Sequence, residues 1–183
     1  SYKNDGPLDL RLNPTRGAPA SALLQSITEK ALSELLTKNA DEPHADLIAH
    51  QIKAALPINS TRQLADVVRA TLGGVQETKD HKKTLARTFQ ALRIAINDEF
   101  GVLDRFLEVL PWCMKPGARV AILTFHSGED SRVERSLEKF LQAGIYSGIA
   151  PEPIRPAPEE QRSNPRSTSA KLRWAIRSDS PLL

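Results

Sequence analysis

His126, Ser127, Glu129 and Asp130 fall within five consecutive positions, directly after the run Arg119-Val120-Ala121-Ile122-Leu123-Thr124-Phe125. An imidazole, a hydroxyl and two carboxylates this close together could act as nucleophile and base, or as hydrogen-bond partners lining a pocket. Nucleophilic serine chemistry is the weaker reading. Adjacent residues in an extended turn direct their side chains apart, and no Gly-x-Ser-x-Gly elbow surrounds Ser127. The plainer alternative is that Ser127 or Asp130 caps a following helix, with Glu129 in its first turn. Such a cap would not prevent His126 from facing a ligand. The preceding run is β-branched and nearly uncharged, and Lys115-Pro116-Gly117 bounds it as a turn. That pattern predicts a strand buried on both faces of a parallel sheet. Ligand crevices in open α/β sheets lie at the carboxyl ends of such strands.

Other candidate groups are less specific. Asp5, Asp9, Arg11 and Arg16 in the opening loop read equally as an ion-pair network or as ligand contacts. Thr88, Gln90, Arg93 and Asn97 form a polar stripe on a helix whose other side is apolar, facing either solvent or a cleft. His44 and His50 match no metal-ligand spacing and read as solvated helix positions, so no metal site is predicted. Cys113 is the only cysteine, which excludes an internal disulfide and a cysteine-rich zinc site. Its apolar neighbours predict a buried thiol.

The 183 residues suffice for one domain, or for one domain carrying a smaller insert. With 40% hydrophobic and 26% charged residues, the chain is neither disordered nor collagen-like. No apolar stretch approaches the roughly eighteen residues of a membrane span, and the first residues do not resemble a signal peptide. A reducing, aqueous compartment is expected, cytoplasmic or an organelle matrix. The net charge of +3 is distributed unevenly. Arg162, Arg166, Lys171, Arg173 and Arg177 form one basic cluster, and Lys79, Lys82, Lys83 and Arg87 another. Each is either a solvated face or a contact for a phosphate-bearing partner, and the two together favour nucleic acid. With only 5% aromatic residues, a base-stacking sheet of the RRM kind is not expected.

These groups must be held by the elements around them. The first nineteen residues are rich in turn formers and predict a packed irregular loop. Leu23, Leu24, Ile27, Ala31, Leu32, Leu35 and Leu36 follow helical spacing, with Thr28 able to cap a second helix. A further amphipathic stretch follows Asp41 and ends at Pro57. Ser60 and Gln63 predict a capping box opening the next helix, stopped by Gly73-Gly74. Residues 75–83 read as a polar connecting loop. One long helix is predicted over 84–110, kinked or divided at Gly101, with Phe89, Leu92, Ile96, Leu103, Phe106, Leu107 and Leu110 inward. After the 119–125 strand come a helix through Val133, Leu137, Phe140 and Leu141, a long proline-rich loop over 144–169, and a strand over 171–177. Only two strands are visible, and two strands cannot bury their faces as an independent sheet. No glycine-rich phosphate or dinucleotide loop occurs in the required strand-to-helix context.

Four blocks carry a resemblance to a known family. Asp5-Gly6-Pro7-Leu8-Asp9-Leu10-Arg11-Leu12-Asn13-Pro14-Thr15-Arg16-Gly17 resembles the D-G-P-L-D-M-R-M-D-P-x-x-G segment of the MraW family. Arg87-Thr88-Phe89-Gln90-Ala91-Leu92-Arg93-Ile94-Ala95-Ile96-Asn97-Asp98-Glu99 is similar to its R-T-F-Q-A-L-R-I-x-V-N-x-E helix. The stretch from Pro116 to Asp130 is similar to P-G-G-R-L-x-V-I-S-F-H-S-L-E-D, and that from Asn164 to Arg173 to N-P-R-A-R-S-A-K-L-R. In the third block Gly128 stands where the pattern has leucine. The helical stretch between the first two blocks matches weakly, and the proline loop over 150–163 is shorter than the pattern leads one to expect.

The resemblance implies an S-adenosylmethionine-dependent methyltransferase acting on cytosine N4 in 16S ribosomal RNA. The implied fold class is α/β, a partial Rossmann-like methyltransferase sheet with an all-helical insert domain. Residues 1–17 would be a loop of the methyltransferase core, 18–80 the insert that helps hold RNA, and 84–183 the carboxyl-terminal half of the core. The cofactor loop would lie upstream of Ser1, so this chain alone would be inactive. His126, Ser127 and Glu129 would line the catalytic pocket, and Arg11, Arg93, Asn97, Arg166 and Lys171 would meet the RNA substrate. The partner would be ribosomal RNA or the small ribosomal subunit, with a homodimer through exposed edge strands also conceivable. A non-catalytic RNA-binding module derived from the same fold is the alternative.

Overall fold

The computed structural model describes residues 4–73 and 79–179. Gly74 and residues 75–78, parts of the expected helix stop and connecting loop, lie outside the described residues. The chain divides into two compact units, Ser1–Glu99 and Phe100–Leu183.

The first unit is helical: α1 (Ala20–Ser26), α2 (Glu29–Ala40), α3 (Ala45–Ala54), α4 (Thr61–Thr71) and α5 (Lys79–Asn97). Local chemistry places their ends. The Thr28 side chain accepts the Ala31 N–H at the start of α2. Ser60 and Gln63 make the expected reciprocal capping box at α4, satisfying backbone donors that the first turn leaves free. Asp41 closes α2 in a left-handed conformation and so belongs to the end of that helix rather than to the start of α3, whose cap position is His44. Leu24, Leu32, Leu36, Ile48, Ile52, Leu64, Val68, Leu85 and Leu92 form one fully buried cluster.

Leu8 of the opening loop belongs to that same cluster. Its N–H donates to the Asn59 carbonyl at 2.9 Å and its carbonyl accepts from Ser21 N–H at 2.9 Å. The loop is therefore packed, as expected, but within the helical unit. Helix α5 also packs there, through Leu85, Phe89, Ala91 and Leu92, although the resemblance implies that residues 84 onward belong with the sheet. Lys79 to Lys83, expected as loop, are the first turn and more of α5.

The continuous helix expected over 84–110 is two helices. The break falls at Asp98, which adopts φ +49°, a left-handed conformation that Asp and Asn tolerate better than other side chains with a Cβ. Gly101, the expected division point, lies inside α6 (Glu99–Cys113).

In the second unit α6 is followed by β1 (Arg119–Thr124), α7 (Ser127–Gln142), β2 (Tyr146–Ile149), α8 (Pro158–Ser163), a short 3-10 helix (Pro165–Ser169) and β3 (Lys171–Arg177). The strands form one sheet in the order β1-β3-β2, and every pairing is antiparallel. Arg119 opposes Ile176 and Thr124 opposes Lys171. This corrects the expectation of a parallel strand buried on both faces. In β1, Val120 and Ile122 pack toward the core while Leu123 is 53% exposed, because only one face of the strand is covered within this unit. β2 was hidden in the expected loop over 144–169: it has four residues, one of them Gly148 at a register irregularity, too short and too interrupted for an alternating pattern.

Helix α6 buries Phe100, Leu107 and Pro111. That phase turns Phe106, expected inward, and Val102, Val109 and Trp112 to the surface, each about half exposed. It also leaves Cys113 exposed, which corrects the buried-thiol expectation. Among the described residues no helix is long and apolar enough to cross a membrane.

Candidate functional site

The turn from β1 into α7 brings the expected catalytic residues together. Neither Ser127 nor Asp130 caps the helix. His126 does, in extended conformation (φ −144°, ψ 163°), with its ring Nδ1 accepting the Glu129 N–H at 3.4 Å. With Nδ1 occupied as an acceptor, the neutral ring carries its proton on Nε2. Nε2 stands 3.2 Å from Glu129 Oε1, a contact that is an ion pair only when the ring is protonated. The other carboxylate oxygen of Glu129 accepts the Phe125 N–H at 2.9 Å. Burial pushes the Glu129 carboxyl up, but His126 and the Phe125 N–H outweigh it and hold the group below its ordinary value. An ionised carboxylate is thus fixed against an imidazole at the end of β1, with Ser127 exposed beside them.

Asp130 turns inward instead. It lies four positions past the cap, and its side chain meets Lys171 and Arg173 of β3. It accepts from Lys171 Nζ at 2.8 Å and from Arg173 Nε and Nη2 at 2.8 and 3.2 Å, and Arg173 Nη2 reaches Glu134 at 2.7 Å. Burial raises the Asp130 pKa, and the two cations more than reverse it, so the group is lowered overall. The hydrogen bond to Asp130 in turn raises the Arg173 pKa above its ordinary value. Of the basic cluster between Arg162 and Arg177, Arg173 and Arg177 are therefore internal, and Lys171 is drawn into an ion pair. Arg162 and Arg166 stand exposed. Nothing in the residue types of this segment distinguishes inward from outward charges. The signal available was the alternation of β3, which places Lys171, Arg173, Ala175 and Arg177 on one face.

Three more expected contacts lie in the helical unit. Arg11 grips Asp9 through two parallel bonds, Nε to Oδ1 at 2.6 Å and Nη2 to Oδ2 at 2.8 Å, and donates from Nη1 to the Gly17 carbonyl. The guanidinium holds Asp9 at a pKa of about 2. Arg93 makes a similar fork onto Glu99, at 2.7 and 3.0 Å. Asn97 ties the opening loop to α5: its Nδ2 donates to the Leu10 carbonyl at 2.9 Å and its Oδ1 accepts the Leu12 N–H at 2.7 Å. Asp5 approaches Arg62 at 3.7 Å rather than joining Asp9 and Arg11. His50 is exposed and pairs with Glu29.

A cleft of about 450 Å³ runs between α6 and α7, lined by Asp104, Glu108, Arg132, Arg135 and Lys139 among others, and His126, Ser127 and Glu129 take no part in it.

A mixed α/β chain with a small antiparallel sheet and many helices is consistent with a methyltransferase fold. The match to known proteins narrows this: the family model of the MraW methylases covers residues 1–178, and the chain belongs to that family. Among curated relatives, ribosomal RNA small subunit methyltransferase H 2 of Alkaliphilus metalliredigens is 48% identical over 184 residues, covering 97% of this chain and 53% of that protein. Ribosomal RNA small subunit methyltransferase H 1 of Lachnoclostridium phytofermentans is 46% identical, covering 97% of this chain and 50% of that protein. The chain spans about half the length of the curated relatives it matches.

Proposed function

We propose that this chain is the carboxyl-terminal part of an S-adenosylmethionine-dependent methyltransferase that modifies a cytosine N4 in small-subunit ribosomal RNA. The observation that carries the reading is the extent of the likeness: relatives named ribosomal RNA small subunit methyltransferase H align along 97% of this chain and over only about half of themselves. Two features support the partial-sheet reading. Among the described residues β1 pairs on one side only, and Leu123, Phe125 and the outer stripe of α6 leave apolar surface uncovered. An adjoining strand and helix from the rest of such a protein would cover both; pairing of two copies through the same edge is the competing arrangement, and sedimentation of the complete protein separates the two.

The residues of this chain do not by themselves suit S-adenosylmethionine. No glycine-rich turn links a strand to a helix among the described residues, and the Glu129 carboxylate is already occupied by Phe125 N–H and His126. The reading therefore assigns the cofactor seat to the portion of the relatives that this chain does not span.

The role left to this chain is positioning and electrostatics. The lone pair of a cytosine N4 amine is delocalised into the ring, so the amine is a weak nucleophile, and in-line displacement depends on orientation and on acceptors for the amine hydrogens as charge develops. Glu129, kept ionised, together with His126 and Ser127, forms the wall of that pocket in this reading. Arg166 and Lys171 in the sheet unit, and Arg11, Arg93 and Asn97 in the helical unit, meet the RNA, whose target base must leave its stack to react. In the full-length protein, His126→Ala lowers methyl transfer from labelled S-adenosylmethionine to small ribosomal subunits far more than it lowers the melting temperature. Unchanged transfer overturns the pocket assignment. RNA binding without any transfer by the unmutated protein favours the non-catalytic module instead.

A further inference from the structure

Gly128 is the second residue of α7 and has no left-handed backbone angle to require a glycine. Its neighbourhood requires one. A Cβ at this position would stand 2.6 Å from Phe100 Cζ, 3.2 Å from Phe100 Cε1 and 3.3 Å from His126 Nδ1, the ring atom that accepts the Glu129 N–H. The first distance is well inside van der Waals contact. A phenyl ring can often swing away from such an encroachment, but this one is held. Phe100 is only 8% exposed, the Arg132 guanidinium carbon lies 3.9 Å from its ring centroid, and the His126 ring is tilted 51° to it at a centroid separation of 5.9 Å. Arg132 is itself restrained, with Nε 3.6 Å from Asp104. The aromatic ring thus occupies the volume a side chain at 128 would take, and it stands beside the imidazole ring itself.

We propose that Phe100 is a positioning residue for His126: wedged against Gly128 and clamped by Arg132, its ring holds the imidazole in the orientation that caps α7 and faces the end of β1. Gly128 is then specified by the ring and not by the backbone, and the two positions act as one unit. The departure of Gly128 from the leucine of the family pattern becomes intelligible as the space that Phe100 fills. The functional consequence rests on the reading that His126 lines the methyl-transfer pocket; the structural coupling does not.

The sign of one substitution tests this. In an unobstructed first helical turn alanine is favoured over glycine. Here Gly128→Ala is expected to lower the melting temperature of the full-length protein, and in the Phe100→Leu background the same change is expected to raise it. Phe100→Leu alone should shift the His126 ring-proton resonances by removing the aromatic ring current, and lower kcat on small ribosomal subunits on the order of tenfold through misplacement of the imidazole, with little change in KM for S-adenosylmethionine. If Gly128→Ala fails to fold while the double variant folds, the coupling is supported. If Gly128→Ala has the same sign in both backgrounds, the wedge is refuted. A reversal of sign with unmoved His126 resonances and unchanged kcat leaves only packing and overturns the positioning role. If the unmutated protein transfers no methyl group, the proposed function falls, and the sign reversal with the His126 shifts still decides the placement of the ring.

Discussion

The helical unit hides aliphatic side chains, and the sheet unit hides charges. In Ser1–Glu99 a single cluster from Leu8 to Leu92 is buried, and among the described residues Glu42 is the one charged residue buried with it. In Phe100–Leu183 the apolar cluster is confined to Leu107, Val133, Leu137, Phe140, Tyr146, Ala175 and their neighbours, while Asp130, Arg173 and Arg177 are buried beside it. The surfaces differ in the opposite sense. Leu12 and Leu47 are the large exposed apolar residues of the first unit, against Val102, Phe106, Val109, Trp112, Leu123, Phe125, Leu141 and Ile154 in the second. One unit is held by packing that is nearly complete within itself. The other is held around an ion-paired centre and presents apolar surface.

The largest expected effect follows from that contrast. Asp130→Ala leaves the buried Arg173 with Glu134 as its remaining carboxylate and strips Lys171 of its ion pair, and should cost about 3–5 kcal/mol, read by denaturant unfolding, with amide exchange accelerating across β1 and β3 and not across α2 and α5. Replacing both members, Asp130→Leu with Arg173→Met, should cost less than either single change, because the desolvation of two charges disappears with their attraction. A double variant as damaging as the singles added together would mean the pair is not the organising contact.

Acid should separate the units in the same way. The folded Asp130 pKa is lowered, so its stabilising contribution is complete above the unfolded aspartate value of about 3.9 and is lost as the pH falls below that toward the folded value. Exchange protection in β3 should therefore fail at a higher pH than protection in α2. Simultaneous loss in both units would contradict the comparison.

In the helical unit, Leu36→Ala removes a fully buried side chain and should cost about 2–4 kcal/mol, the usual range for such a cavity, with no dependence on pH because no titrating group is lost. Thr28→Ala, which deletes the cap of α2, should cost about 1 kcal/mol by thermal unfolding. The smallest effect is expected for Arg62→Ala, since its pair with Asp5 is exposed and 3.7 Å long; a change within about 0.5 kcal/mol is the expectation, and a larger one would show that charge also organises the first unit.

Helices α2 and α4 with their caps, and the four motif blocks, were legible in the residues alone. Thr28, Ser60 with Gln63, and the apolar spacing of α2 and α4 operate within windows of three or four residues, because helical hydrogen bonds and caps are local. That His126, Ser127 and Glu129 share the turn after a strand was likewise legible from their adjacency. Which members of that cluster would cap, pair or turn inward was not, since Asp130 takes its partners from residues 41 and 43 positions away. The antiparallel direction of the sheet, the short strand β2 and the wedge of Phe100 at Gly128 arise in the same way. Each depends on which distant segment arrives alongside and how much volume it brings, and only the assembled chain decides that.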